Sequence, residues 1–344
     1  KRFKRPIISD VLKDNYLQTL AVSLDEIRPL RNLPLFGRTV ADLEKRGLMN
    51  AALEGLPDVD TLRDRAAQEM GFVPPELCVL LSWAKIDMKR RIMDSPLIKS
   101  PQMTRHMKAY FAPEIRQHFG ESVTRHRLRD QILVTAITNS VVNLHGAAAL
   151  HKLTTDLGLA ASRVVESLLV AREILGIDEI LAAIFKLDGK VAATLQYEEI
   201  LAAEEAVVLA ARWLIRNVPD LRNRLEATIA SYAGLHERCI AAMRRDLPES
   251  DRTAFAAAER RRVEAGIPAA TAERLALLEH VPTILDAVRL ADSGRRPLRQ
   301  TLAVLYEVGE RLRLGTIIEG LKGLPKRSDW DGSAVANVVA DLRR

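Results

Sequence analysis

Apolar residues in this chain recur every three to four positions, and that period dictates what it can fold into. From Tyr197 the apolar positions run Tyr197, Ile200, Leu201, Val207, Val208, Ala211, Leu214, Ile215 and Val218. Steps of three, four and seven place them on one stripe of a long helix. Glu198, Glu199, Glu205, Arg212 and Arg216 fall on the other faces, and the acid pairs Glu198-Glu199 and Glu204-Glu205 are read as solvated. Glu204 interrupts the stripe, so it needs either a place at its edge or a buried partner, because an unpaired buried carboxylate is costly. Pro219 stops the helix. The short alternating runs of Val, Ile, Thr and aromatic residues that mark strands are nearly absent, and aromatics make up only 4% of the chain. The pattern predicts an all-α protein, a multi-helical irregular bundle with no substantial β-sheet.

Local punctuation supports helix after helix. Pro75-Glu76 and Ser100-Pro101 look like helix starts, the latter with Ser100 as N-cap. Thr39 and Asp42 have the spacing of a capping box, with Asp in place of the usual Glu. Gly146, Gly176 and Gly266 follow helical runs as C-cap glycines do. Among the expected helices are roughly 8–32, 39–54, 75–94, 128–153, 191–217, 221–246, 250–265 and 298–313, with ends uncertain by ~2–4 residues. No fixed-length repeat is present, which argues against a regular solenoid. Composition shifts near Asn217–Pro219 and after Gly266, and three modules are expected: 1–74, 75–218 and 219–344.

Several chemistries are excluded by what the sequence lacks. Of 17 glycines, no two lie closer than Gly320 and Gly323, so there is no Gly-x-Gly with which backbone approaches a phosphate in the familiar nucleotide loops. Seven histidines show no metal-ligand spacing, and Cys78 and Cys239 stand alone, as thiols in a reducing compartment do. No apolar run reaches the ~18 residues of a membrane span. The basic Lys1–Arg5 stretch leads into Pro6 rather than an apolar signal region, and a cytoplasmic location is expected.

The net charge of +6 is unevenly spread: Lys85–Arg129 holds eleven Lys or Arg against Asp87, Asp94, Glu114 and Glu121, a local net of +7. Such a segment suits a subunit or interdomain surface, an acidic protein or nucleic acid. No nucleic-acid motif accompanies it, and neither a nucleic-acid nor a membrane partner is expected. A second oddity lies within Asp130–His145. Gln131, Thr135, Thr138, Asn139 and Asn143 form a neutral polar stripe opposite Leu133, Ile137, Val141, Leu144 and Ala148. A solvent face normally carries Lys and Glu, whereas amides and hydroxyls suggest partly buried hydrogen bonding between helices. Arg172, within an otherwise apolar run, is a candidate partner for the stripe.

Several strings then resemble the C-terminal portion of the large, multi-domain bacterial NAD-specific glutamate dehydrogenases. They are Asp14-Asn15-Tyr16-Leu17-Gln18-Thr19, Pro75-Glu76-Leu77 with Val79-Leu80-Leu81 and Ala84-Lys85-Ile86, His126 with Leu128-Arg129, and Asn139 with Val142-Asn143 before Gly146. Val170-Ala171-Arg172-Glu173, Arg212-Trp213-Leu214 with Arg216-Asn217, Gly294-Arg295-Arg296-Pro297-Leu298, Gly309-Glu310-Arg311-Leu312, Leu324-Pro325 and Trp330 continue the series in order. The resemblance covers roughly residues 9 to 330. It implies a parent enzyme that oxidises L-glutamate with NAD, whose catalytic lysine and aspartate and NAD fold lie upstream of this segment. No catalytic, cofactor or metal residue is therefore assigned here, and the segment alone is expected to bind no NAD and to be inactive. On this reading 1–74 connects to the catalytic module of the same polypeptide, and the region serves structure, homo-oligomer assembly or regulation. Candidate members of a polar network or interface are Gln131, Thr135, Asn139, Asn143, Arg172, Arg212, Trp213 and Arg216. The alternative is an all-α basic binding or adaptor module for nucleic acid or an acidic protein.

Overall fold

The computed structural model describes residues 17–27, 29–324 and 329–342. Lys1–Arg5, the Asp14–Tyr16 part of the first family string, the start of the helix expected from residue 8, and Pro325 lie outside the described residues. Among the described residues there is no strand; the secondary structure is helical throughout. The chain divides into two compact units, Lys1–Glu166 and Ser167–Arg344.

In the first unit, the helix Arg129–His145 is the hub. It packs against Pro74–Met93, Pro96–Lys99 and Thr104–Tyr110. Leu133, Val134, Ile137 and Val141 on the hub, and Leu77, Leu80, Leu81, Met88 and Ile92 on Pro74–Met93, are buried. Glu76 fixes the entry of Pro74–Met93: its carboxylate accepts the Val73 N–H at 2.9 Å and a two-pronged pair of bonds from Arg65 at 2.7 and 3.0 Å. The long helix expected over 128–153 is broken. Gly146, at φ 84° and ψ 176°, ends Arg129–His145, and the next helix, Ala149–Leu157, leaves at 88°. That backbone region is open to glycine and closed to most other residues. The turn is pinned by the buried Asp25 carboxylate of helix 17–26, which accepts the Ala147 N–H at 3.1 Å.

Thr39 does not open a helix. It lies inside Pro29–Lys45, where its hydroxyl donates to the Leu35 carbonyl at 2.8 Å. A Thr hydroxyl can bond back to the preceding turn as readily as it caps, so the spacing with Asp42 alone misled. The residues after Lys45, expected to stay helical to about 54, turn instead at Gly47 and Gly55, both at positive φ. Ser100 does precede a helical start, the single 3-10 turn Pro101–Met103, but its hydroxyl donates to Gln102 and caps nothing.

In the second unit, Ala193–Asn217 is the longest helix and packs against Ile177–Phe185, Ala269–Leu278 and Val281–Gly294. Glu249–Glu264 pairs with Ala269–Leu278, and Leu298–Arg311 rests on Val281–Gly294 and Leu235–Arg245. The expected helix 221–246 is two helices, Leu225–Ser231 and Leu235–Arg245, separated by Gly234 at φ 60°. The buried face of Ala193–Asn217 is also rotated from the one the apolar spacing predicts. It comprises Gln196, Glu199, Ile200, Ala203, Ala206, Val207, Ala210, Ala211, Trp213 and Leu214. Alanines at 203, 206 and 210 let neighbouring helices approach closely, so small residues outweigh larger ones such as Tyr197 and Leu201 in setting the contact face. Glu199 is carried inside with them, contrary to its expected solvation, while Glu204 is half-buried and engaged. Among the described residues, no single helix is long and apolar enough to cross a membrane.

Candidate functional site

The neutral stripe of Arg129–His145 descends from water into the core of the first unit. Gln131 is exposed, Thr135, Asn139 and Asn143 are half-buried, and Thr138 is 0% exposed. The Thr138 Oγ1 and Asn143 Oδ1 atoms are shut off from water and have no hydrogen-bond partner among the described residues. Each such group costs about 1–3 kcal/mol of desolvation.

A charged knot that the sequence reading missed lies beside this helix, in the same unit. Arg46 donates to Asp87 at 2.7 Å and meets Asp42 at 2.7 Å; Arg91 lies 3.6 Å from Asp87, and His151 lies 3.6 Å from Asp42. The i,i+4 pairs Asp42–Arg46 and Asp87–Arg91 were the available signal. Asp87 is buried, and the Arg46 guanidinium beside it has its pKa raised, chiefly by the hydrogen bond to Asp87, against the opposing effect of burial. His151 is pushed the other way. Burial lowers its pKa, Asp42 opposes, and Arg38, Arg46 and Arg91 add to the lowering. Asp42, Arg46, Asp87 and His151, with Thr39, Leu43, Ala84, Val142, Gly146, Ala147 and Leu150, line a cavity of about 10 Å³. That is close to the space one water needs and far below the several hundred Å³ of a small-molecule site. The knot ties helices together, with room beside it for about one water.

The remaining predicted residues belong to the second unit. Trp213 is buried: its indole N–H donates to Asp286 at 3.0 Å and its ring meets Tyr232 edge-on, centroids 5.9 Å apart. Arg289 also reaches Asp286, at 3.4 Å. Burial, with help from Asp292 and Asp286, pushes the Tyr232 phenol well above the ordinary range. Arg216 pairs with Asp341 at 3.8 Å, Arg212 is half-buried and engaged, and Arg172 pairs with Asp178 at 2.6 Å. Trp213 and Arg216 thus fasten one long helix to two others, Val281–Gly294 and Asp329–Leu342.

A second missed cluster centres on Arg262. Its guanidinium donates to Glu199 and to Glu279, both at 2.8 Å. Burial works against the Arg262 charge, but Glu199 and then Glu279 outweigh it and hold its pKa above the usual value. Cys239 is buried and its thiol is pushed up to about 12, which leaves it unreactive, while Cys78 is exposed; both are free. No group of three or more His, Cys, Asp or Glu among the described residues is placed to hold a metal.

Comparison with known proteins says what kind of chain this is. The family model described as "Glutamate dehydrogenase, C-terminal" matches residues 69–344. The chain belongs to that family. It is 29% identical over 329 residues to the NAD-specific glutamate dehydrogenase of Pseudomonas aeruginosa, covering 94% of this chain and 20% of that protein. To the NAD-specific glutamate dehydrogenase of Halomonas elongata it is 26% identical over 336 residues, 97% of this chain and 21% of the relative. To the Mycobacterium tuberculosis enzyme of the same description it is 21% identical over 332 residues, with 96% and 20% covered. The chain thus spans about one-fifth of the length of the relatives it matches. The strings quoted above from His126 onward, and those around Pro75, fall within the matched residues.

Proposed function

We propose that this chain is the non-catalytic C-terminal helical region of an NAD-dependent glutamate dehydrogenase. The parent reaction converts L-glutamate, NAD+ and water to 2-oxoglutarate, ammonium, NADH and a proton. The hydride passes from the substrate α-carbon to the nicotinamide, and that chemistry belongs to the remainder of the polypeptide. The observation that carries this reading is the family match over residues 69–344 of a chain equal to one-fifth of its relatives. The use of charged groups supports it. Arg46, Arg262, Trp213 and Arg216 each join separate helices within their own unit, and the cavity beside Arg46 is water-sized. The role is to brace the catalytic module and its assembly into a homo-oligomer. NAD binds the parent, and this region contributes no ligand to it.

Two measurements test the reading. Glutamate-dependent NADH formation by the isolated chain, or NAD binding to it in a calorimeter, would refute the non-catalytic role. An enzyme truncated before Pro74 that kept full activity and unchanged assembly would refute the bracing role.

A further inference from the structure

The first unit carries an exposed strip of connected rings. At the end of Thr104–Tyr110 the Tyr110 ring packs edge-on against Phe111, centroids 5.5 Å apart at 80°. Phe111 in turn lies 6.4 Å from the His126 ring at 50°, and His126 Nδ1 accepts the Leu128 N–H at 3.1 Å. The ring contacts join Tyr110, Phe111 and His126 into one strip, and the backbone N–H bond ties the exposed Leu128 to its His126 end. Tyr110 and Leu128 are each 50% exposed, and His126 is open to water. Single exposed apolar side chains are ordinary; a connected group of them marks a contact surface.

The strip also has a sign. Arg125 and Arg127 flank His126, both exposed, and no acid occurs from Ser122 through Arg129. Arg127 has no ion pair among the described residues. Arg125 reaches only Glu121, at 3.8 Å on open surface, where such a pair contributes little. Three cations beyond the strip are already paired: Lys99 and Arg129 share Asp130, at 2.5 and 2.7 Å, and Arg91 faces Asp87. Beside the aromatic strip itself, the positive charge left open is that of Arg127, with Arg125 only weakly paired. A phosphate backbone asks for an extended track of cations and for ring faces open to stacking. Here the rings stand at 80° and 50° to one another and Leu128 offers no face to stack on. Aromatic and Arg-rich patches of this kind fit protein surfaces with an apolar centre and an acidic rim.

We propose that Tyr110, Phe111, His126 and Leu128, with Arg125 and Arg127, form a docking surface for an acidic, apolar-centred face on the remainder of the parent glutamate dehydrogenase polypeptide. This deepens the function proposed above and rests on it, since about four-fifths of each relative lies outside the matched segment. Leu298–Arg311 carries a different exposed row, Val304 and Val308, beside the opposite charges Glu307 and Arg311, and so selects no sign of partner.

The test uses the full-length enzyme carrying this chain, with the photo-cross-linker p-benzoyl-phenylalanine at Tyr110 or, for comparison, at Val308. The Tyr110 probe is expected to capture acidic peptides of the polypeptide outside this chain. Arg127→Glu should cut the yield roughly tenfold, because like charges brought together across an interface are strongly disfavoured. Leu128→Asp should cut it similarly, and Arg260→Glu, at an exposed cation of the second unit, should not. Capture of nucleic acid, capture only of a second copy of residues 1–344, no capture, or a yield indifferent to both substitutions overturns the proposal. Capture of the catalytic remainder from Val308 but not from Tyr110 overturns this surface while leaving the bracing role intact. Full activity and assembly of the truncated enzyme removes both.

Discussion

Arg262→Met tests the most loaded contact in the second unit. Glu199 is 6% exposed, and the Arg262 side chain 11% exposed, so the pair is cut off from water on both sides. Glu199 Oε1 accepts from Arg262, whereas Oε2 is buried with no hydrogen-bond partner among the described residues. Methionine keeps much of the packing but leaves a buried carboxylate with no compensating charge. Breaking a buried pair from one side costs about 3–5 kcal/mol. Glu279 is nearly half exposed and its bond to Arg262 adds little to that figure. For a unit of this size the loss corresponds to a fall in melting temperature of roughly 6–20 °C. Urea unfolding followed by circular dichroism at 222 nm gives the difference directly. Adding Glu199→Gln to Arg262→Met should recover a large part of the loss, since the amide needs no counter-charge. A loss below about 1 kcal/mol for the single substitution, or no recovery in the double, would show that Glu199 finds water or another partner, and the reasoning would fail.

Thr138→Val replaces a buried, unpartnered hydroxyl with a methyl of the same shape, and should stabilise the first unit by about 1 kcal/mol; destabilisation in the same unfolding assay would mean the hydroxyl has a partner. Trp213→Phe removes the indole donor to Asp286, and should cost about 1.5–3 kcal/mol, read from thermal unfolding, with Asp286→Asn in the same background adding little. His151 gives a pH dependence of known sign. Its folded pKa lies below the ordinary value of about 6.5 because it is buried and faces Arg38, Arg46 and Arg91, with Asp42 only partly offsetting them. The unfolded chain then binds the proton more readily, so the contribution is complete above about pH 6.5 and is lost as the pH falls through the folded value. His151→Gln should flatten the acid side of the stability curve of the first unit; an unchanged slope between pH 5 and 7 would refute it.

Much of the architecture could be read from periodicity because large apolar residues dominate most helix faces, as Leu133, Ile137 and Val141 show. The sequence also marked Trp213 and Arg216, whose polar ends do meet Asp286 and Asp341. The errors have physical causes. Gly146 ends a helix as its sequence position suggests, yet the apolar period runs on past it to 153; Gly234 sits inside a periodic run in the same way, and a period persists across a bend that such a glycine backbone permits. Thr39 can bond backward as well as cap. By its own polarity the Glu199 carboxylate belongs outside, while its burial depends on Arg262, 63 residues on. The same holds for the knot of Arg46 and Asp87, 41 residues apart. Local spacing reports local pairs, and these ties are made only when distant helices meet.

The Asp25–Ala147 bond has a consequence in time. Its two residues are 122 positions apart. A ribosome adding about 5–20 residues per second needs roughly 6–25 s to deliver the second after the first. Through that interval the Asp25 carboxylate of helix 17–26 lacks its Ala147 N–H partner. Closing so long a loop is unfavourable until the hub Arg129–His145 has formed. Helix 17–26 therefore gains this tie only after the hub is made, and until then its Asp25 carboxylate lies open to a chaperone or to a neighbouring copy on the same messenger.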